Sequence, residues 1–223
     1  MTELQKKKFE EDKKRAEDFY AFDAGFAEDG KLVVGLDEVG RGPVAGPLAV
    51  GAVVLKPEPI IVGINDSKKL TAKKREALCE QIQREALVWH VEYLEAQEID
   101  SLGMAEALKY TFRKSLFEAE KKLAKVSTKK IGKVLVDGNP LRIDPREVNV
   151  IKGDAKSASI SCASIVAKHL RDSLMIELSD KFPEYMLESN KGYGSAKHIE
   201  AIRVYGLSPI HRKTFCKNFV NNH

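Results

Sequence analysis

The sequence lacks the features that would place the protein in a membrane or in an oxidising compartment. No apolar run approaches the roughly 20 residues that a membrane span needs. The N-terminal segment MTELQKKKFEEDKKR has no apolar core of the kind found in a signal peptide. Cysteine is scarce, with three residues at positions that show no paired metal spacing, and this favours reduced thiols. We therefore expect a cytoplasmic protein that does not bind membranes.

Several functional motifs are also missing from the sequence. No cluster of cysteine and histidine indicates zinc, and no GxxxxGK[ST] run indicates a nucleoside-triphosphate loop. Internal repeats and low-complexity tracts are absent as well. With 223 residues, 43% hydrophobic and 31% charged, the chain is typical of one globular domain, alone or with an appendage. A net charge of +4 permits an acidic partner but does not require one.

Apolar periodicity predicts a mixed α/β sheet flanked by helices, with a helical C-terminal third. The predicted strands cover residues 31–37, 48–55, 87–94, 134–136 and 148–151. The predicted helices cover residues 70–85, 104–125, 157–180 and 196–205. Residues 1–22 mix lysine and glutamate densely, which predicts a solvated, amphipathic lead-in helix. We therefore divide the chain into an N-terminal helical extension, residues 1–24, and one folded domain, residues 25–223.

Acidic side chains stand at the ends of three of the predicted strands. Asp37 and Glu38 follow the first, Asp137 the fourth and Asp154 the fifth. Ligands gather outside strand ends in open α/β sheets, so these carboxylates are expected to converge. Asp37 and Glu38 point to opposite faces of a regular strand, and could reach one ion if the strand ends or bulges there.

Four converging carboxylates would repel one another unless cations neutralise them. Hard divalent ions prefer oxygen ligands, and Mg²⁺ is the leading candidate. Two such ions can activate a water and stabilise the leaving oxygen in phosphodiester hydrolysis. A surface turn that merely contains acidic residues is the alternative interpretation. A Ser/His/Asp site is not indicated by the spacing, although the spacing leaves it open.

Groups suited to a polyanion lie beside these acids. Gly40 and Gly42 free the backbone to approach a ligand, and Arg41 between them supplies a positive charge for a phosphate. Tyr193 stands between two glycines, which suits stacking on a substrate better than core packing. A predicted turn ahead of a helix offers Ser67, Lys68 and Lys69 as phosphate contacts. The alternative is that the turn caps the helix in the ordinary way and that the lysines are only solvated. Lys168 is a further candidate for a phosphate contact. Together these residues predict metal-dependent chemistry on nucleic acid.

Five blocks of the sequence resemble bacterial ribonuclease HII, in the order found in that family. They are LDEVGRGPVAGPLAVGAVVL (36–55), NDSKKLTAKKRE (65–76), VDGN (136–139), IKGDAKSASISCASIVAKHLRD (151–172) and NKGYGSAKH (190–198). The resemblance covers nearly everything after residue 31 and leaves the lead-in segment unexplained. One departure is Asn190, which stands where a histidine is usual.

The resemblance implies a ribonuclease H-like fold and a type 2 ribonuclease H catalytic domain over residues 25–223. It implies hydrolysis of the RNA strand of RNA/DNA hybrids and incision 5′ to single ribonucleotides in duplex DNA, leaving 3′-hydroxyl and 5′-phosphate ends. The expected partners are therefore these two nucleic acids, and a monomer is expected. Two Mg²⁺ or Mn²⁺ ions would be held by the family's four acids, which fall on Asp37, Glu38, Asp137 and Asp154.

The same resemblance assigns the substrate contacts. The family's glycine-arginine-glycine loop falls on Gly40, Arg41 and Gly42 and reads the 2′-hydroxyl at an RNA–DNA junction through backbone groups. Its substrate-sensing tyrosine falls on Tyr193, which packs on the sugar of the following nucleotide. Two rivals remain, a type III ribonuclease H that cuts hybrids but handles single ribonucleotides poorly, and a hybrid-binding module without activity.

Overall fold

The computed structural model describes residues 2–28 and 30–220, and a five-stranded sheet in the order β3-β2-β1-β4-β5 forms its centre. β1 pairs antiparallel with β2, and β2 pairs antiparallel with β3. On the other side β1 pairs parallel with β4, and β4 pairs parallel with β5. The predicted mixed sheet is thus confirmed. The strands are β1 (Leu32–Val39), β2 (Leu48–Val54), β3 (Val88–Leu94), β4 (Ile131–Asp137) and β5 (Glu147–Val150).

The helices agree with the predicted segments and add two short ones. They are α1 (Glu3–Ala24), α2 (Ala72–Glu85), α3 (Ala96–Leu102), α4 (Met104–Val126), α5 (Ala158–Lys181), α6 (Leu187–Asn190) and α7 (Ala196–Tyr205). α3 and α6 were not expected from the periodicity because each is too short to repeat an apolar pattern. Among the residues that the structure describes, no helix combines the length and the apolar character needed to cross a membrane.

The sheet separates two hydrophobic layers. On one face α4 packs Leu108 and Phe112 against Val34 and Leu36 of β1. On the other face α5 lies unusually close to the strands, because Gly35 of β1 has no side chain to hold it away. A Cβ atom at Gly35 would lie 2.2 Å from the carbonyl carbon of Ser159, so any other residue there would push α5 outward. All three cysteines are free and buried, which agrees with reduced thiols.

The lead-in helix α1 is mostly exposed, as predicted, but it is anchored to the domain along one side. Ala16 and Phe19 are buried in the layer formed by α2 and α5. Near the end of α1 the Asp23 carboxylate accepts hydrogen bonds from the Ser157 hydroxyl and, at 2.7 Å, from the backbone N–H of Ser159. Asp23 therefore caps the N-terminus of α5 from outside that helix. The division of the chain at residue 24 stays a prediction.

Replacing Asp23 tests this contact between α1 and α5. Burial raises the pKa of the Asp23 carboxyl, so its oxygen atoms matter as acceptors more than its charge does. We expect Asp23→Ala to lower the free energy of unfolding by about 1–2 kcal/mol, and Asp23→Asn to lower it by less, since an amide oxygen still accepts the Ser159 N–H. Urea denaturation would measure both. Asp18→Ala, on the exposed side of the same helix, is the matched control, and an equal loss in that variant would contradict the capping role.

Candidate active site

The register of the sheet brings the predicted acids to one edge. Leu36 of β1 pairs with Val136 of β4, so Asp37 and Asp137 lie side by side one residue further along. Asp137 pairs with Val150 at the end of β5, and a short 3₁₀ turn, Gly153–Ala155, follows and carries Asp154. A pocket of about 290 Å³ opens there, lined by Asp37, Glu38, Val39, Ser67, Lys68, Asp137, Asp154, Ser164, Lys168 and Tyr193.

The expectation that the first strand ends at its acidic pair is wrong. β1 continues through Asp37 and Glu38 to Val39, and both acids stay paired with β2, opposite Gly51 and Val50. No bulge occurs at that point, since the pairing of β1 with β2 runs without a register shift from Leu36 to Val39. The strand that ends is β4, at Asp137. β1 therefore extends past its parallel neighbour, and the freed edge gives its acids access to the pocket.

The pocket carries an excess of negative charge that is unfavourable without a counter-charge. Asp37 is only 7% exposed. Its burial raises the pKa of the carboxyl well above its usual range. A hydrogen bond from the Ser164 hydroxyl lowers this pKa in part, whereas repulsion from nearby acids, including Asp137 and Asp154, raises it further. Burial also raises the pKa of Glu38, which Arg41 partly offsets from 3.9 Å.

Asp154 and Asp137 are held by different contacts. Burial raises the pKa of Asp154 to about 6, and repulsion from Asp137 and Asp66 adds to the effect. The Asp137 Oδ1 atom accepts a hydrogen bond of 2.6 Å from the backbone N–H of Gly153. This bond ties the end of β4 to the turn that carries Asp154. It thereby fixes the spacing between two strands at the pocket.

The donor set fits a hard divalent cation. All four acids offer carboxylate oxygens, the ligands that Mg²⁺ and Mn²⁺ prefer. Within residues 2–28 and 30–220, no three histidine, cysteine, aspartate or glutamate side chains are arranged so that they could hold one metal ion. The four carboxylates thus line one pocket without meeting at a common point.

The predicted phosphate contacts differ in how they face this pocket. Lys68 and Lys168 line it, whereas Lys69 is exposed outside its lining. The Lys168 ammonium lies 2.7 Å from the Asp172 carboxylate, so a phosphate would have to compete with Asp172 for this ammonium. Ser67 also lines the pocket, but its hydroxyl is buried and accepts a hydrogen bond of 2.9 Å from Ser164.

The loop formed by residues 40–46 and the loop formed by residues 190–194 face one another beside the acids. Arg41 and Gly42 are exposed, and a Cβ atom at Gly42 would lie 3.9 Å from the Cε1 atom of Tyr193. Gly40 has a φ of +85°, and a Cβ atom there would lie 2.2 Å from the Nε atom of Arg171. Glycine is therefore required at position 40, whereas at position 42 an added Cβ atom would make only an ordinary van der Waals contact with Tyr193.

Asn190, the departure noted in the sequence, orders the 190–194 loop. Its Nδ2 atom donates to the carbonyl of Tyr185 at 2.6 Å, and its Oδ1 atom accepts from the backbone N–H of Gly192 at 2.8 Å. The residue thus closes the turn that presents Tyr193. Sequence reasoning missed the buried Arg171 and Arg212, which contact this region from behind. No local signal marks them, because each stands in a charged stretch that is typical of a solvated surface.

Comparison with known proteins agrees with this architecture. The family model for ribonuclease HII matches residues 34–218. Ribonuclease HII of Clostridium acetobutylicum is 44% identical over 214 residues, which are 92% of this chain and 80% of that protein. The crystal structure of ribonuclease H2 from Pyrococcus horikoshii OT3 is similar with a TM-score of 0.68 at 30% identity, over 84% of this chain and 96% of that one. Bst-RNase HIII in complex with Mn²⁺ is similar with a TM-score of 0.73 over 89% of this chain and 71% of that one, but at 18% identity it shows the fold alone.

The fold and these neighbours define the class, which is that of the ribonucleases H with a mixed sheet and a helical C-terminal part. Within this class the family model covers most of the chain, and the curated relatives carry the same name. The chain therefore belongs to the ribonuclease HII family and is an endoribonuclease. Members of the family degrade the RNA strand of RNA/DNA hybrids.

Replacing Asp37 tests the pocket as a cation site without any assay of activity. A carboxyl whose pKa is raised by folding stabilises the fold at low pH, and this stabilisation is lost as the pH rises. At pH 7 in a chelator, Asp37→Asn should therefore raise the free energy of unfolding, by about 1–3 kcal/mol. Added Mn²⁺ should raise the Tm of the parent protein and leave that of the variant nearly unchanged.

Asp144→Asn is the matched control for this experiment. Asp144 pairs with Arg146 at 2.7 Å, and this contact holds the pKa of its carboxyl below its ordinary value. A carboxyl of this kind contributes stability at neutral pH, and the contribution is lost as the pH falls. Asp144→Asn should thus lower stability in the chelator and keep the full response to Mn²⁺. Equal responses to Mn²⁺ in the Asp37 and Asp144 variants would exclude Asp37 from the cation site.

Proposed function

We propose that this protein is a metal-dependent endoribonuclease that hydrolyses the RNA strand of RNA/DNA hybrids and incises 5′ to single ribonucleotides in duplex DNA, leaving 3′-hydroxyl and 5′-phosphate ends. The observation that carries the proposal is the pocket lined by four carboxylates, beside a glycine-arginine-glycine loop and an exposed tyrosine. The family supports the hybrid substrate, and the Mn²⁺ complex of a structural neighbour supports the use of a divalent ion.

The acids are proposed to hold two Mg²⁺ or Mn²⁺ ions when substrate is bound. Asp37, Glu38, Asp137 and Asp154 are the ligands. When bound there, such ions would supply Lewis acidity for the attack of a water on the phosphodiester and for the departure of the 3′-oxygen. The raised pKa values of Asp37, Glu38 and Asp154 support the assignment, because burial and neighbouring acids disfavour uncompensated negative charge in the pocket.

The remaining residues are proposed to bind the nucleic acid. The backbone of Gly40 and Gly42 approaches the ribose and reads its 2′-hydroxyl, which is the group that distinguishes RNA from DNA. Arg41 contacts a phosphate. Tyr193, which is 48% exposed, stacks on the sugar of the following nucleotide.

Phosphate contacts by Ser67, Lys68, Lys69 and Lys168 complete this surface. Lys68 and Lys168 have the stronger support because they line the pocket. Ser67 has weaker support as a phosphate contact, because its hydroxyl is buried and accepts a hydrogen bond from Ser164. The proposed partners are RNA/DNA hybrids and DNA duplexes that contain ribonucleotides, and the protein is proposed to act as a monomer in the cytoplasm.

Cleavage of a DNA duplex with a single ribonucleotide tests the function directly. With Mg²⁺ or Mn²⁺ we expect incision on the 5′ side of the ribose, with a 3′-hydroxyl end that a polymerase can extend. Asp37→Asn should reduce the rate by about 100-fold or more, since the variant loses a ligand that acts in the transition state. Cleavage of long hybrids but not of this duplex would favour the type III rival. Binding of both substrates without any cleavage would instead indicate a hybrid-binding module without catalytic activity.

Replacing Tyr193 tests the substrate-reading surface separately from the acids. Since the side chain is half exposed, Tyr193→Ala should leave the Tm nearly unchanged and reduce cleavage of the single-ribonucleotide duplex by roughly 5- to 100-fold, the range expected for loss of one stacking contact. Tyr110→Ala is the matched control, because Tyr110 is 45% exposed and lies on α4 outside the pocket lining. Equal rates for these two variants would remove Tyr193 from the binding surface.

A further inference from the structure

Arg212 contacts the 40–46 loop from behind, and the catalytic proposal does not use it. Its side chain is fully buried, and its guanidinium donates to the carbonyl of Gly40 at 2.6 Å, of Arg41 at 3.0 Å and of Gly46 at 2.8 Å. The backbone adds to this contact, since the Arg212 N–H donates to the carbonyl of Val44 at 2.8 Å. One side chain thus binds both ends of the 40–46 loop.

Arg171, which lies on α5 and is also fully buried, binds the same loop and the neighbouring one. It donates to the carbonyl of Ala45 at 3.4 Å, to the carbonyl of Pro47 just after the loop at 2.9 Å, and to the carbonyl of Lys191 at 3.1 Å. Within the described part of the chain neither arginine forms an ion pair, so their charges are met by backbone carbonyls. Burial lowers the pKa of both, for Arg212 to about 9. Burying two cations costs free energy. A planar guanidinium offsets part of this cost, because it donates hydrogen bonds to several carbonyls at once and holds them in place.

His211, the neighbour of Arg212, is connected to the 190–194 loop. Its Nδ1 atom accepts from the backbone N–H of Ser208 at 3.0 Å, so the ring proton must be on Nε2. That proton is donated to Nε2 of His198 at 3.1 Å, which leaves His198 with its proton on Nδ1. His198 then donates to the carbonyl of Tyr193 at 2.9 Å. Burial lowers the pKa of both rings, for His211 to about 4, which agrees with two neutral imidazoles.

We propose that His211 and Arg212 are positioning residues that set how Tyr193 faces the glycine-arginine-glycine loop, and thereby set the preference for an RNA–DNA junction over a continuous hybrid. The inference rests on the proposed function and adds to it the residues that determine specificity. Neither side chain hydrogen-bonds to any of the four acids. The hydrolytic step itself should therefore depend on them much less than the choice of substrate does.

Arg212→Lys tests the inference, because an ammonium keeps the charge but cannot hold three carbonyls in a planar fork. The measurement is kcat/KM on a duplex with one ribonucleotide, divided by kcat/KM on a continuous hybrid. We expect this ratio to fall by about tenfold or more, since a misplacement of about 1 Å by a remote substitution can cost on the order of 100-fold. Cleavage of the hybrid should fall by much less. In the double variant Arg212→Lys/Tyr193→Ala, the fall in the ratio should be smaller than the sum of the two single effects on a free-energy scale, because both substitutions act through the same contact.

A second variant and a control separate positioning from general loss of stability. His211→Asn breaks the connection to Tyr193 without removing a buried charge, and it should lower the same ratio even if Arg212→Lys does not fold. Arg146→Lys is the matched control, since Arg146 bonds to Asp144, Glu120 and the carbonyl of Ile131, away from both loops. It should lower the Tm and leave the ratio unchanged.

The outcomes distinguish this inference from the proposed function. If the parent protein cleaves hybrids but not the single-ribonucleotide duplex, the proposed function fails before any variant is compared, and the inference fails with it. If the parent protein cleaves both, and the folded Arg212 and His211 variants keep its ratio or lose both activities equally, the positioning role is overturned. A fall in the ratio for Arg146→Lys would overturn it as well.

Discussion

The close contact between α5 and the centre of the sheet is the constraint on which the rest of the structure depends. Gly35 and Gly51 stand in neighbouring strands, and a Cβ atom at either would lie within 2.4 Å of the α5 backbone. With no side chains in the way, α5 lies directly on β1 and β2. The helix then places Ser164 against Asp37 and Lys168 in the pocket, and one turn later it places Arg171 behind the 40–46 loop.

The charges of the site are arranged in two separate groups around this helix. The acids are gathered at the end of β4, where burial makes their ionisation unfavourable, and they are the residues proposed to hold divalent ions. The buried arginines lie on the far side of the 40–46 loop, and backbone carbonyls satisfy them instead of the acids. This separation matters because a direct ion pair would have neutralised the carboxylates and removed the reason to bind metal.

Much of the fold and of the pocket could be predicted from the sequence, because the signals are local. The alternating and helical patterns placed every strand and the long helices, and the acids stood next to apolar runs that ended at one edge. The continuation of β1 past Asp37 could not be predicted, because it depends on β2 extending beside it while β4 stops. Arg171 and Arg212 were missed for a related reason. Burial of an arginine is decided by carbonyls far away in the chain, and its own neighbours in the sequence resemble those of a solvated residue.

The bond between Arg212 and Gly40 joins residues that are 172 positions apart in the chain. During synthesis β1 and its neighbours can pair long before Arg212 leaves the ribosome, and so can the turn that carries Asp154. The carboxylates of the pocket are thus present early, whereas the carbonyls of Gly40 and Gly46 gain their hydrogen-bond donor only when residue 212 has been made. On a growing chain the acids of the pocket would therefore be in place before the 40–46 loop beside them is held by its arginine.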